Sequence, residues 1–257
     1  MNDRLEPLRF LSVSPHRVSI LRALDEGGEM KRCELETHVD ASRRTIKRAL
    51  DAFRRRGWIR DTADGISLSI GGAFILDAYE DFEDRLKLVD DLRPFFSRLR
   101  KGDCQATPAA FEDATVVEMD AAYPFATVEY VLQRYREATE RAHVLLSYVS
   151  IGILERIAAV GKDEDIDHTV ILDGDVREAI RTTTEYHDFF ADRSSTIDLY
   201  TIDESFPLTL VLIDDDAILT VTNDDGLPTV LLRSSNPTFL DTIETRFESA
   251  FEGAEPF

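Results

Sequence analysis

Lysine is nearly missing from this 257-residue chain: five stand against twenty-five arginines and fifty acidic residues, for a formal net charge of −20. Cysteine is as scarce. Cys33 and Cys104 have neither CxxC spacing nor a histidine-rich neighbourhood, which argues against a disulfide framework or a zinc site and leaves two reduced thiols. No run of eighteen apolar residues occurs, and the opening MNDRLEPLRFLSVS is too polar for a secretory signal. The sequence therefore predicts a cytoplasmic chain with no membrane partner. Catalytic signatures are missing as well: there is no GxSxG, P-loop, GxGxxG or HExxH. None of His16, His38, His143, His168 and His187 is followed two residues later by Lys, the pattern of a phospholipase-D-like enzyme. No enzyme activity, metal or cofactor is expected.

What is present is charge of two signs, kept apart. Residues 1–60 carry fourteen Lys and Arg against nine Asp and Glu, so the remaining chain is net −25. Within 41–60, ASRRTIKRALDAFRRRGWIR, eight basic residues meet a single Asp. Such asymmetry points to a nucleic-acid-facing segment attached to a part with another task. The acidic remainder, poor in Lys, has the profile of proteins soluble in concentrated salt; an acidic surface for cations or a basic protein is the alternative.

The N-terminal pattern divides at its punctuation. Ser14 and Pro15 open a helix carrying Val18, Leu21 and Leu24, which Gly27 and Gly28 stop. A short helix around 31–38 follows, with Leu35 and Val39 inward. Ser42 then caps a third, whose stripe is Ile46, Ala49, Leu50 and Phe53. Gly57 ends it, and WIRDTADGISLSI reads as strand, Asp-Gly turn, strand. Three helices and a hairpin make a winged helix-turn-helix over 1–71, which sets its third helix in the major groove of double-stranded DNA. The stretch LETHVDASRRTIKRALDAFRRRGWI resembles the winged helix-turn-helix domains of archaeal and bacterial transcription regulators. The expected DNA-reading residues are Ser42, Arg43, Arg44, Thr45, Lys47 and Arg48, with Arg54, Arg55, Arg56 and Arg60 suited to phosphate. A solvated basic helix face is the plainer alternative.

Over 72–100 a linker helix is expected, its stripe made of Phe74, Ala78, Phe82, Leu86, Val89 and Leu92, with Pro94 ending or kinking it. That stripe can pair with a second copy or pack on its own C-terminal domain. The stretch 100–113, rich in Gly, Pro and small residues, is the expected boundary. Beyond it, over 110–257, strands and helices alternate: strands near TVVEMD, HVLLSYVS, HTVILD and TIDLYTID, helices near 124–140, 151–161 and after Asp173, then three strand-like runs and a closing helix. This predicts an α/β domain with a mixed sheet, largely parallel, with an antiparallel meander turned by Asp214–Asp216 and the Asp-Gly near 225. The whole chain reads as α+β and multi-domain.

The stretch 206–251, FPLTLVLIDDDAILTVTNDDGLPTVLLRSSNPTFLDTIETRFESAF, resembles the middle domain of the FilR-type methanogenesis regulators and their haloarchaeal relatives. A looser similarity is to the TrmB-type regulators, whose C-terminal domain is phospholipase-D-like. Both resemblances imply a regulator with an N-terminal winged helix. Ligands of open α/β sheets gather at the carboxyl ends of strands, which nominates Tyr148, Ser150, Asp173, Asp175 and Asp203 for a small-molecule effector. The alternative has Asp175 as a helix cap and Asp173 as a solubilising loop residue. For Asp214–Asp216 a solvated hairpin turn is expected rather than a metal site. The leading reading is a homodimeric DNA-binding regulator with a sensor or assembly domain. The alternative is an adaptor whose winged helix binds protein.

Overall fold

The computed structural model describes residues 5–119, 122–123, 125–150, 166–186, 198–223 and 227–257, which fall into two compact units, 1–87 and 88–257. The helix expected over 151–161, the end of the one expected after Asp173, His187 and the Asp-Gly turn near 225 lie outside the described residues. Among the described residues no helix is long and apolar enough to cross a membrane.

The first unit contains α1 (Glu6–Ser12), α2 (Pro15–Gly27), α3 (Arg32–His38), α4 (Arg43–Arg56), β1 (Ile59–Asp61), β2 (Ile66–Leu68) and most of α5 (Ile70–Asp91). Every apolar position read from the helical spacing of α2 to α4 is buried, Leu21, Leu35, Ile46 and Phe53 completely or nearly so. The helix α1 has no counterpart in the sequence reading. It supplies Leu11 to the core and Phe10 to an aromatic cluster, edge-on to Phe53 and Trp58 at 6.0 and 5.7 Å. Ser14 precedes α2 with extended backbone, yet its side chain makes no capping bond; Pro15 alone marks the start. The β1–β2 hairpin gains a third partner, since Met30 and Ile66 exchange backbone hydrogen bonds of 2.9 and 2.8 Å.

Helix α5 rests on this unit through Gly72, Leu76, Ile75 and Tyr79. A Cβ on Gly72 would come within 2.0 Å of the Trp58 carbonyl oxygen, so only glycine allows this approach. Arg22 of α2 fastens the same face by donating to Glu80 at 2.6 Å and Glu83 at 2.8 Å. The stripe expected on α5 therefore points away from its own unit: Phe74 is 70% exposed, Phe82 43% and Leu86 51%, with Ala78 exposed between them. Leu92 lies beyond the helix end and is buried.

The second unit begins before the boundary expected at 100–113. Leu92, Phe95, Ala110 and Phe111 belong to its main core, through α6 (Arg93–Phe96) and a 3-10 turn at Pro108–Phe111. Its strands are β3 (Thr115–Glu118), β4 (Arg141–Leu146), β5 (Asp167–Leu172), β6 (Asp198–Thr201), β7 (Thr209–Ile213), β8 (Asp216–Thr222), β9 (Pro228–Ser234) and β10 (Glu255–Pro256). They form one mixed sheet in the order β10-β6-β5-β4-β7-β8-β9-β3. Among the described residues only β4–β5 and β5–β6 are parallel, which corrects the largely parallel sheet expected. Alternating strand and helix did not reveal that β3 crosses to the far edge to pair antiparallel with β9. Helix α7 (Ala126–Arg136) packs beside Val211, Ile218 and Leu231, while α9 (Pro237–Glu252) lays Phe239, Ile243 and Phe247 against Leu145, Leu212 and Leu232. A shorter helix, α8 (Gly174–Thr182), follows β5.

The aspartates of the β7–β8 turn are not merely solvated. Asp214, at φ 48°, accepts backbone N–H groups of Thr139, Glu140 and Arg141. Burial raises its pKa, but these donors outweigh it and hold the carboxyl below the usual range. Asp216 is 2% exposed and is gripped by Arg134 of α7 and Arg233 of β9. Losing Asp216 leaves two arginines that are each about a third exposed, so water offsets part of the loss and the cost is that of charged hydrogen bonds, about 1.5–3 kcal/mol. Asp216→Ala is expected to lower the urea midpoint of the second unit by a corresponding amount, followed by circular dichroism; an unchanged midpoint would show the grip to be ornamental.

Candidate nucleic-acid interface and effector edge

Helix α4 is closed at both ends by its own sequence. Ser42 Oγ accepts the Thr45 N–H at 3.1 Å. At the other end Gly57 takes φ 70°, and the N–H groups of Gly57 and Trp58 donate to Arg54 and Phe53 at 3.0 Å each, a Schellman closure. With Ile46, Ala49, Leu50 and Phe53 buried, the 3.6-residue period turns the basic residues to solvent.

The structure sorts those residues into groups. Arg44, Lys47, Arg48 and Arg55 are exposed and form no ion pair with a described residue. Arg43 is also exposed and reaches Glu36 of α3 at 2.9 Å. The Ser42 and Thr45 hydroxyls face one another at 2.9 Å in the cap. Arg54 donates to both carboxylate oxygens of Asp61 at 2.7–3.1 Å and to Asp51 at 3.2 Å, tying the helix end to β1. Its bond to Asp61 lifts the guanidinium pKa and lowers that of the carboxyl. Arg56 is partly buried, its guanidinium 3.8 Å over the Phe10 ring and 2.6 Å from Glu6. Arg60 donates to Ser67 at 3.1 Å across the hairpin.

Arg17 escaped the sequence reading. It lies 3.9 Å from the Phe10 centroid, on the same ring as Arg56, and burial followed by the charges of Arg56 and Arg48 pushes its pKa down. Three guanidinium groups thus share one small region, where Glu6 answers Arg56 alone. Only its place on α2 brings Arg17 there; no local motif announces it.

In the second unit the nominated effector residues do come to one edge, at the carboxyl ends of the parallel strands β4, β5 and β6, but several have structural duties. The cap of α8 is Asp173, not Asp175: its two oxygens accept from Val176 at 2.9 Å and Phe206 at 3.1 Å, and it is 1% exposed. Burial raises its pKa against those bonds. Asp175 is exposed on the first turn. Gly174 donates to Glu204 at 3.1 Å, and a Cβ there would meet the Asp203 carbonyl at 2.6 Å. Asp203 pairs with Arg177. Tyr148 is half-buried, which raises its phenol pKa against an opposing bond to Ser150. At the opposite ends of the same strands, Arg141, His143 and Asp167 line a cleft under α9 that the sequence reading did not anticipate.

Asp173→Ala removes a cap and strands the Phe206 N–H. The expected cost is about 2 kcal/mol in the stability of the second unit. Chemical denaturation checks this, with Asp175→Ala within about 0.5 kcal/mol of the parent.

Two family profiles match the chain: the HVO_A0261 N-terminal domain over residues 5–91, and the middle domain of the methanogenesis regulatory protein FilR1 over residues 124–252. No curated protein matches it. Among solved structures it is similar to TrmBL2, described as an archaeal chromatin protein with a novel mode of DNA binding, at 12% identity and TM-score 0.40 over 96% of this chain and 95% of that one. It is also similar to NucT from Helicobacter pylori (14% identity, TM-score 0.44, 56% of this chain and 98% of that one). A third is Nuc from Salmonella typhimurium, a phospholipase D family member (15% identity, TM-score 0.43, 56% and 97%). The FilR1 profile spans half of the chain, directly behind a match to a separate N-terminal domain, and the protein belongs to the FilR1 middle-domain family of regulatory proteins.

Proposed function

We propose that the protein is a non-enzymatic transcription regulator that reads double-stranded DNA with α4 and the β1–β2 wing. The observation that carries this reading is the row of cations Arg44, Lys47, Arg48 and Arg55, unpaired among the described residues, on a capped helix in a chain where carboxylates outnumber cations. The first turns of α4 enter the major groove, where Arg44 and Lys47 meet base edges. Arg55 and the crowded Arg17, Arg48 and Arg56 suit phosphates, whose charge relieves the mutual repulsion of the guanidinium groups. Arg54 and Arg60 act at one remove, by holding the wing to the helix and its two strands together.

The regulator works as a homodimer, and α5 supplies the contact. Phe74, Ala78, Phe82 and Leu86 form an unbroken ridge at four-residue steps, exposed along the helix. Ridges of this spacing interdigitate with their like at a crossing of about −50°, and the small Ala78 allows close approach. A two-fold pair also matches the need for two half-sites. The second unit serves as sensor or assembly domain; its effector shifts the population between two arrangements of the paired winged helices. A cytoplasmic location accompanies this role.

Arg43→Ala with Arg44→Ala removes two groups from the first turn. Each good bidentate base contact is worth about 1–3 kcal/mol, so sequence-specific affinity is expected to fall at least about fivefold. Capture of genomic fragments in concentrated KCl by the parent and the variant measures it. A discrete near-palindromic site enriched by the parent alone supports the reading; enrichment of no DNA by either would favour a protein partner for the winged helix. Phe82→Glu with Leu86→Glu is expected to halve the mass seen by sedimentation equilibrium while leaving the helical circular dichroism signal in place. An unchanged mass refutes α5 as the contact.

A further inference from the structure

A cleft of about 220 Å³ opens between the first residues of β4 and β5 and the last turns of α9, entirely within the second unit. Most of its charges are already matched. Arg141 donates to Glu244 and to the Asp214 carbonyl, and His143 Nε2 meets Asp167 at 2.9 Å. What is left over is an aromatic shelf and one carboxylate. His143 lies on Phe247, with centroids 5.0 Å apart and 14° between planes, and Phe247 runs parallel to Phe251 within 9° at 6.4 Å. Tyr200 braces Phe251 edge-on at 4.8 Å. Phe251 is nevertheless 41% exposed, and Glu248, one turn from Glu244 on the same helix, is exposed and has no ion pair with a described residue.

The exposed Phe251 ring beside a free carboxylate complements a cation with an apolar body, because the ring quadrupole and the carboxylate attract the same charge. An anion would meet three carboxylates against one guanidinium that is already bonded. The volume lies below the roughly 300–1,000 Å³ of pockets for drug-sized molecules, which limits the occupant to about a single ring. We propose that this cleft binds a small organic cation, an ammonium on a one-ring or short alkyl body, with its charge between Glu248 and the Phe251 ring. The proposal deepens the sensor reading above and rests on it for its regulatory meaning, and it places the effector at the amino ends of the parallel strands rather than at the carboxyl edge. A ligand there touches α9, β4 and β5 together, so its binding energy opposes any parting of the helix from the sheet.

The test is calorimetric titration of the full chain with phenethylammonium chloride in the absence of DNA. Saturable binding is expected, weakened about tenfold by Phe251→Ala and by Glu248→Gln, both at exposed positions that leave the core intact. Asp241→Asn, which neutralises an exposed carboxylate about two turns away on the same helix and outside the cleft, should leave it unchanged. Resonances of the Phe247 and Phe251 rings should move on titration. No saturable heat up to millimolar ligand, equal affinity in the parent and both cleft variants, or tighter binding of phenylacetate than of the amine would each overturn the proposal. The titration contains no DNA, so its failure leaves the regulator reading standing, and a failed DNA capture leaves the cleft standing.

Discussion

A guanidinium shared between two carboxylates is the interaction that recurs where elements meet in both units. With fifty acids and thirty cations, many acids must go without a basic partner, and the arginines that pair are placed where elements meet. Arg22 holds α5 to α2 through Glu80 and Glu83; Arg54 holds α4 to the wing through Asp61 and bonds Asp51 of its own helix besides; Arg134 joins α7 to the sheet through Asp216 and bonds Glu137 besides. The planar fork of arginine suits this duty better than the point charge of lysine. Exposed pairs of this kind add little each, typically below about 1 kcal/mol, so their value lies in geometry. The buried grip on Asp216 is different, because there the carboxylate itself is out of water and relies on its partners.

Against that pattern the outer face of α4 stands out as the place where cations outnumber the carboxylates within reach. The helix has strong reasons to be where it is: a serine cap, a glycine stop and a stripe that ends on the Phe10, Phe53 and Trp58 cluster. The face from which these side chains project is consequently set before any partner arrives, and the family to which the chain belongs is a regulatory one.

Much of this was legible in the sequence where periodicity decides the structure. The stripes of α2, α3 and α4 and the Asp64–Gly65 turn of the wing can be read because each is set by neighbours within four residues. Other features depend on residues far apart in the chain. Arg56 finds Glu6 fifty positions away, and Arg17 meets Arg56 only because α1 and α2 fold beside α4. Strand direction is also silent in a single strand's pattern, so three parallel strands suggest a largely parallel sheet. The cap of α8 falls to Asp173 instead of Asp175 because either carboxylate can close a helix, and only the Phe206 N–H waiting on its far side decides between them. The α5 stripe was visible, but its exposure was not: a buried and an open ridge have the same spacing.

The bond network of Arg54 has one further implication, and it concerns length. Arg54, steadied by Asp51 one turn back on its own helix, reaches across to Asp61 on the first wing strand, so the outer face of α4 and the wing present their charges at one preferred separation. The pair acts as a calliper whose opening is set by a bond of modest strength, and whatever meets both surfaces meets them at that opening.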